Sequence, residues 1–489
     1  MKIAKTYSNI FKKIDYIILT IILVIALLFR LYKINSPLAD FHSWRQVDTA
    51  AVARNFVRNG VDLFHPIYDD LSNVQSGFDN PSGYRMVEFP IYNAIIAYCY
   101  RLLPFFSLEI WGRLITIVSS LIVIAIVYFL LLKENSRISA IFGALTYSIF
   151  PFFVFFSRVI LPETIALAFS MLSILLLYLN VESKENNLKN YIYTLLSSIF
   201  FAVALLIKPT IIFYLLPIAV LFFRKYKLSA IKKFDFYLYF IIALVPLFFW
   251  RNYIKNFPEG IPTSDWLFTS VNTGQGQKSI LFRPSFFRWI FFERVNNLIL
   301  GGYLSVFFVL GAIVKQKKLF LISFLISALT YVFVFQGGNL QHEYYQTLIL
   351  PVFAILIGIG VGFIFNNKKE FANPIFTMFF VFLIFVSSFY FSYFKVVDYY
   401  LYSQELVQEA NIIKSLTAPD DKIVTDRTGD TTLLYLANRR GAPSIFRDPN
   451  ELKKLGYKYL ITSSKEQIDM MKLKFTIVFE NGKFTLFKL

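Results

Sequence analysis

The sequence has one cysteine in 489 residues, Cys99, which excludes an intrachain disulfide and a thiolate metal cluster. Histidine is almost as scarce. His42, His65 and His342 leave little for a His-rich metal site, although a divalent metal is left open. Charge is thin as well: 16% of residues are Asp, Glu, Lys or Arg, where a soluble domain carries about 25%. Few acids lie in the middle of the apolar runs, and no internal repeat stands out, which disfavours ion-coupled transporters built from two similar halves. What remains is hydrophobic, 56% of the chain, and that composition is of a polytopic membrane protein.

The formal charge of +18 would suit a nucleic-acid binder, but the lysines and arginines sit mainly between apolar runs. They read as topology signals and contacts to anionic headgroups of membrane lipids, with no nucleic-acid partner. The first run, Asp15 to Leu31, follows Lys2, Lys5, Lys12 and Lys13. It lacks a small-residue cleavage site and further runs follow, so it reads as a retained signal anchor. Later runs of bilayer-crossing length fall near 111–132, 139–157, 163–180, 191–207, 209–223, 236–250, 298–314, 319–335, 347–365 and 374–394. With a cytoplasmic N-terminus, the inner loops carry Lys133 and Arg137; Lys184 and Lys189; Arg224, Lys225, Lys227, Lys232 and Lys233; Lys315, Lys317 and Lys318; and Lys368 and Lys369. The outer segment 336–346 has neither Lys nor Arg. The expected fold is therefore an α-helical polytopic inner-membrane protein with about eleven transmembrane helices.

That parity keeps Ile91 to Phe106 outside, as an interfacial helix with Pro90 in its first turn. The span region, 1–395, thus has a first extracytoplasmic loop at 33–110, with a short amphipathic helix over Thr49 to Asn59. A second long loop at 251–297 holds Pro258, Pro262, Gly274, Gly276 and Pro284, with Trp266 and Trp289 at the membrane surface. Residues 396–489 read as a small extracytoplasmic α/β domain. Its expected strands are Lys422–Asp426 and Tyr457–Thr462, its expected helices Asp430–Asn438 and Glu451–Leu455, with a terminal hairpin about Asn481-Gly482. Arg440-Gly441-Ala442-Pro443 has no second glycine at phosphate-loop spacing, so this tail reads as a structural cap or docking module.

One stretch is dense in polar groups: Asp40-Phe41-His42-Ser43-Trp44-Arg45-Gln46-Val47-Asp48, continuing to Arg54. The plain reading is an interfacial helix with a Trp anchor and snorkelling arginines. Topology brings further ionisable groups to the same outer side: Glu88 before Phe89-Pro90, Arg158 and Glu163, Lys208 before Pro209, and His342-Glu343-Tyr344-Tyr345. Each has a plain alternative. Arg158 and Glu163 are expected to pair at a helix start, Lys208 to snorkel, His342 to be a neutral loop histidine and Glu88 to be solvated. As a set, they suit attack on an activated sugar whose leaving group is a lipid phosphate. Such a displacement needs a base, for which Asp48, Asp40 and His42 are candidates, and cations for the phosphate, for which Arg45, Arg54, Arg158 and Lys208 are candidates.

At these residues the sequence resembles the GT-C superfamily of membrane glycosyltransferases. The nearest branch holds the protein O-mannosyltransferase-like (glycosyltransferase family 39) and lipid A aminoarabinose transferase-like enzymes. The resemblance rests on His42 to Ala50, Ala50-x-x-Ala53-Arg54, Glu88-Phe89-Pro90, Ser157 to Glu163, Lys208-Pro209 and His342 to Tyr345. It implies inverting transfer from a polyprenyl-phosphate sugar donor to a lipid, glycan or protein acceptor on the outer face. It also implies a base in the first outer loop and a second acid at Glu163. Trp44, Gln46, Arg54, Glu88, Arg158, Lys208, His342 and Tyr345 join Arg45 as substrate and donor-phosphate contacts. Two positions depart from the pattern. Arg45-Gln46 stand where better-known relatives carry Asp-Glu, which moves the expected base to Asp48, with Asp40 next. Phe89 stands where a lysine precedes proline in the aminoarabinose enzymes, and Arg45 is its expected replacement. The rival readings are a transporter or flippase of a lipid-linked glycan and a non-catalytic membrane assembly protein.

Overall fold

A computed structural model describes residues 12–183, 188–262, 280–315, 319–367 and 373–489. Lys2, Lys5, Lys184, Trp266, Gly274, Gly276, Lys317, Lys318, Lys368 and Lys369 lie outside these described residues. The chain divides into two compact units: Met1–Ile34, Leu114–Phe249 and Asp265–Asp398 in one, and Asn35–Arg113, Trp250–Ser264 and Tyr399–Leu489 in the other.

Among the described residues, seven helices are long and apolar enough to cross a membrane, beginning at Lys13, Leu108, Pro162, Leu188, Phe234, Glu343 and Pro374. The other four expected spans are shorter or broken, for local reasons. Pro151 has no amide hydrogen and forces Phe150 into an extended conformation, so the expected span 139–157 splits into helices Arg137–Ile149 and Pro151–Phe156. Pro209 does the same to Lys208, and the 209–223 segment opens with the 3-10 turn Pro209–Tyr214 before helix Leu215–Tyr226. Gly301 and Gly302 take positive φ, leaving Ser305–Ile313 as the α-helical part of 298–314. Leu319–Val334 is continuous but has only 16 residues.

The break at Pro151 orphans carbonyls at the end of Arg137–Ile149. Arg30, fully buried in the first helix, donates to Ser148 O at 2.9 Å, Tyr147 O at 2.9 Å and Ser157 Oγ at 2.8 Å. The same unit packs helix Leu350–Asn366 through small residues. A Cβ on Gly360 would strike the Phe307 carbonyl oxygen, and one on Gly311 would strike that of Leu356. These glycines let two backbones approach without a side chain between them.

The second unit carries the polar elements. The first-loop helix is longer than expected and runs Ser43–Asn59. A second helix, Ile91–Leu102, has Pro90 as its N-cap rather than in its first turn. The tail forms a five-stranded sheet of order β2-β1-β3-β5-β4. Its strands are β1 (Lys422–Val424), β2 (Gly441–Ala442), β3 (Tyr457–Thr462), β4 (Thr476–Glu480) and β5 (Thr485–Lys488). β1 pairs in parallel with β2 and β3, whereas β5 is antiparallel to β3 and β4. Alternating strand residues divide between two faces. Ile423, Ile461 and Leu486 pack with helices Gln404–Leu416 and Thr432–Ala437, while Val424, Leu460 and Phe487 pack with helices Pro449–Lys454 and Lys465–Lys472. Helices Gln404–Leu416 and Lys465–Lys472 and strand β2 have no counterpart in the sequence reading. At the β2 edge the first loop adds itself to the sheet. Leu71 N donates to Gly441 O at 2.7 Å and Gly441 N to Asp69 O at 2.9 Å, which covers an otherwise open strand edge.

Candidate functional site

Helix Ser43–Asn59 is not a surface anchor. Arg45, Gln46, Asp48, Thr49 and Asn55 are all buried along with its apolar residues. The turn before it is shaped by His42, whose backbone is left-handed at φ 55. Ser43 N closes onto Asp40 O at 2.9 Å. One turn into the helix, Gln46 reaches back, and its Nε2 donates to Asp40 Oδ1 at 2.6 Å and to Phe41 O at 3.0 Å. Arg113 Nη2 lies 3.9 Å from Asp40 Oδ2. Phe41 stacks on Tyr399 with centroids 3.9 Å apart, and Trp44 meets the His42 ring edge-on at 6.5 Å. Arg45, in the first helical turn, forms an ion pair with Glu88, so Glu88 is not merely solvated.

Asp48 lies deeper, at 1% exposure. The Thr431 hydroxyl donates to its Oδ1 at 2.6 Å, and Arg85 Nη1 lies 3.1 Å from its Oδ2. Burial raises the Asp48 carboxyl above its ordinary range, against the pull of the Arg85 charge and the Thr431 hydroxyl. Asp70, also buried, is pushed up to about 6 by desolvation, with Asp48 contributing in the same direction. Further along the helix, Arg54 pairs with Asp69, donates from Nη1 to Tyr435 O at 2.8 Å, and lies 4.2 Å from the Tyr435 ring centroid.

The other unit assembles a second group. Pro162 occupies the first position of helix Pro162–Glu182 and sets Glu163 in its first turn. Glu163 Oε1 lies 2.7 Å from Lys208 Nζ, with both side chains buried. Lys208 is therefore ion-paired inside the protein, not snorkelling, and its ammonium stands 5.3 Å from the Tyr345 ring centroid. His342 stacks on Tyr344 at 5.3 Å and on Tyr345 at 6.3 Å. Arg158, fully buried, donates from Nη2 to Lys33 O at 3.0 Å. Among the described residues, no cluster of three or more His, Cys, Asp or Glu side chains is placed to hold a metal ion.

The expected residues thus gather into three sets: Asp40 with His42, Trp44, Gln46, Arg45 and Glu88; Asp48 with its own partners; and Glu163 with Lys208, Tyr345 and His342. Arg85, Arg113 and Thr431 have no place in the sequence reading. Arg113 carries a legible signal, being a charge in the first turns of an apolar helix. Thr431 carries none.

Residues 87–250 match the dolichyl-phosphate-mannose-protein mannosyltransferase family. That stretch includes Glu88, Arg158, Glu163 and Lys208 and begins after the Asp40–Arg54 segment. No curated protein sequence matches the chain. Among solved structures, the chain is similar to ArnT from Cupriavidus metallidurans bound to undecaprenyl phosphate, with a TM-score of 0.62 over 97% of each chain at 12% identity. The chain has the GT-C fold. The same fold likeness extends to the Archaeoglobus fulgidus oligosaccharyltransferase AglB, in complex with an inhibitory peptide and a dolichol-phosphate. There the TM-score is 0.57 and the identity 12%, over 92% of this chain and 69% of that one. It extends also to the arabinofuranosyltransferase AftD from Mycobacteria, with a TM-score of 0.54 at 12% identity over 91% of this chain and 35% of that one.

Proposed function

We propose that the chain is a glycosyltransferase of the inner membrane. It moves a sugar, with inversion, from a polyprenyl-phosphate carrier to a lipid, glycan or protein acceptor on the extracytoplasmic face. The observation that carries this reading is the buried acid–cation set at the head of helix Ser43–Asn59, where Gln46 orients Asp40 and Arg45 sits one turn away, paired with Glu88. Buried charge of this kind is costly in a structural helix and is retained where charge must be handled. GT-C folds with lipid-phosphate ligands support the donor class; the ArnT and AglB structures hold undecaprenyl phosphate and dolichol-phosphate.

Asp40 is the proposed base, in place of Asp48. Asp48 is tied through Thr431 to a segment 383 residues away and faces Arg85 at 3.1 Å, so its proposed role is to hold the helix. Asp40, itself hydrogen-bonded by Gln46 but placed at the head of the helix, is proposed to take the acceptor's proton. His42 and Trp44 flank Asp40. Arg45 is a proposed phosphate ligand, its bidentate guanidinium suiting a departing phosphate. Arg54 is tied to Asp69 and Tyr435 and is assigned to positioning. Glu163 remains the second acid, and Lys208, Arg158, His342 and Tyr345 remain donor contacts, as the resemblance implies. Asp40→Asn is expected to lower transfer from polyprenyl-phosphate sugars by about 100-fold or more with folding intact. Wild-type transfer by this variant would remove Asp40 from the base role.

A further inference from the structure

The tail lacks a glycine-rich loop, yet its sheet is wound in both directions. The chain leaves β1 for β2 through helix Thr432–Ala437, then crosses back past β1 to β3 through Pro449–Lys454. These two helices pack on opposite faces. The order therefore reverses between β1 and β3, which run parallel. In open α/β sheets a crevice opens outside the carboxyl ends of strands at such a reversal, and ligands bind there.

In this chain that place is a cavity of about 210 Å³, lined by Arg427 beyond β1, Ser463 beyond β3, Gln408 and Glu409 of helix Gln404–Leu416, and Lys483 and Phe484 of the terminal hairpin. At ~30 Å³ per water it has the space of about seven waters, enough for one small polar molecule. Its charges are internally matched. Arg427 pairs with Glu409 and lies 3.8 Å from Asp426, and Lys483 pairs with Glu405. A charged ligand gains no unpaired counter-ion there. Gln408 and Ser463 add amide and hydroxyl groups, while Phe484 and Leu406 give the lining an apolar side. Hydroxyls that both donate and accept, on a ring with an apolar C–H face, complement that lining.

We infer that the crevice at the carboxyl ends of β1 and β3 is a binding site for a neutral saccharide, separate from the Asp40 and Glu163 groups. The test uses the full chain in lipid nanodiscs and saturation-transfer NMR. The probes are methyl α-mannopyranoside, methyl α-glucopyranoside and methyl α-galactopyranoside, with glucuronate and glucosamine as charged counterparts. At least one neutral glycoside is expected to bind, and the charged sugars at least tenfold more weakly. Gln408 is on an exposed helix position. Gln408→Trp is expected to fill the crevice and abolish binding, and the milder Gln408→Ala to weaken it several-fold, both with unchanged thermal unfolding. No binding of any neutral probe, equal binding of charged ones, or wild-type binding in folded Gln408→Trp would overturn the inference. The readout needs no transfer chemistry, so its failure and that of the proposed activity are separable.

Discussion

The Asp48–Thr431 contact joins residues 383 positions apart and decides between two roles for Asp48. As a structural anchor, its carboxylate is held by one hydroxyl and one guanidinium at 1% exposure. A hydrogen bond to a charged group is worth about 1.5–3 kcal/mol, and Thr431→Val removes the hydroxyl while keeping the shape. Asp48→Asn removes the charge opposite Arg85, itself 8% exposed, and leaves a buried cation without its partner, which costs about 3–5 kcal/mol. Because the two changes disrupt one network, the double variant is expected to lose about 1–2 kcal/mol less than the sum of the single losses. Hydrogen exchange in helix Ser43–Asn59 and in 431–438, with thermal unfolding of the full chain, measures all three. Both single variants are expected to expose both segments together, and transfer to fall in proportion to the folded fraction. Asp48→Asn that unfolds like wild type but transfers nothing would refute the anchor role and return Asp48 to catalysis. Strictly additive losses would show that the contact does not couple the two segments.

Three further outcomes follow from the geometry. Lys208→Met leaves Glu163 buried without its cation and is expected to cost about 3–5 kcal/mol; adding Glu163→Gln should recover most of the lost thermal stability, which a thermal shift of purified protein reads. Gly360→Val, whose Cβ would strike the Phe307 carbonyl oxygen, should lower the yield of monodisperse protein sharply, with Gly360→Ala less severe. Asp70 has a folded value of about 6 against 3.8 for the free group. Below 3.8 both states are protonated. As pH rises from 3.8 to 6 the unfolded chain releases its proton first, so stability falls across that window by at most about 3 kcal/mol. Asp70→Asn is expected to flatten that part of the stability–pH curve, and an unchanged slope would count against the burial of this carboxyl.

Much of the architecture was legible in the chain because it rests on local signals. Apolar runs mark the helices that begin at Lys13, Leu108 and Pro374, and short β-branched runs mark Tyr457–Thr462 to the residue. Asn481-Gly482 marks the hairpin, where Gly482 takes φ 78. Even the broken spans had their cause in view, since Pro151, Pro209 and Gly301 are readable; their effect was not, because a proline can be absorbed in a long helix, as Pro246 is in Phe234–Tyr253. Strand β2 was hidden by its length, two residues held from both sides by Ile423 and Asp69.

The polar stretch from Asp40 to Arg54 shows where local reading stops. Composition and order marked it as the expected place for chemistry, with Asp48 ahead of Asp40 as the expected base. With 49 cations and 31 acids in the chain, pairing is a matter of distance in space, which no spacing in sequence encodes. The tertiary structure alone gave Asp48 to Arg85 and Thr431, Asp40 to Gln46 and Arg113, and Glu163 to Lys208. The sequence by itself determined which segments enter the membrane and which are polar, because transfer from water depends on the residues of each segment. Folding decided which partners each acid faces, because that depends on the groups brought opposite each one in space.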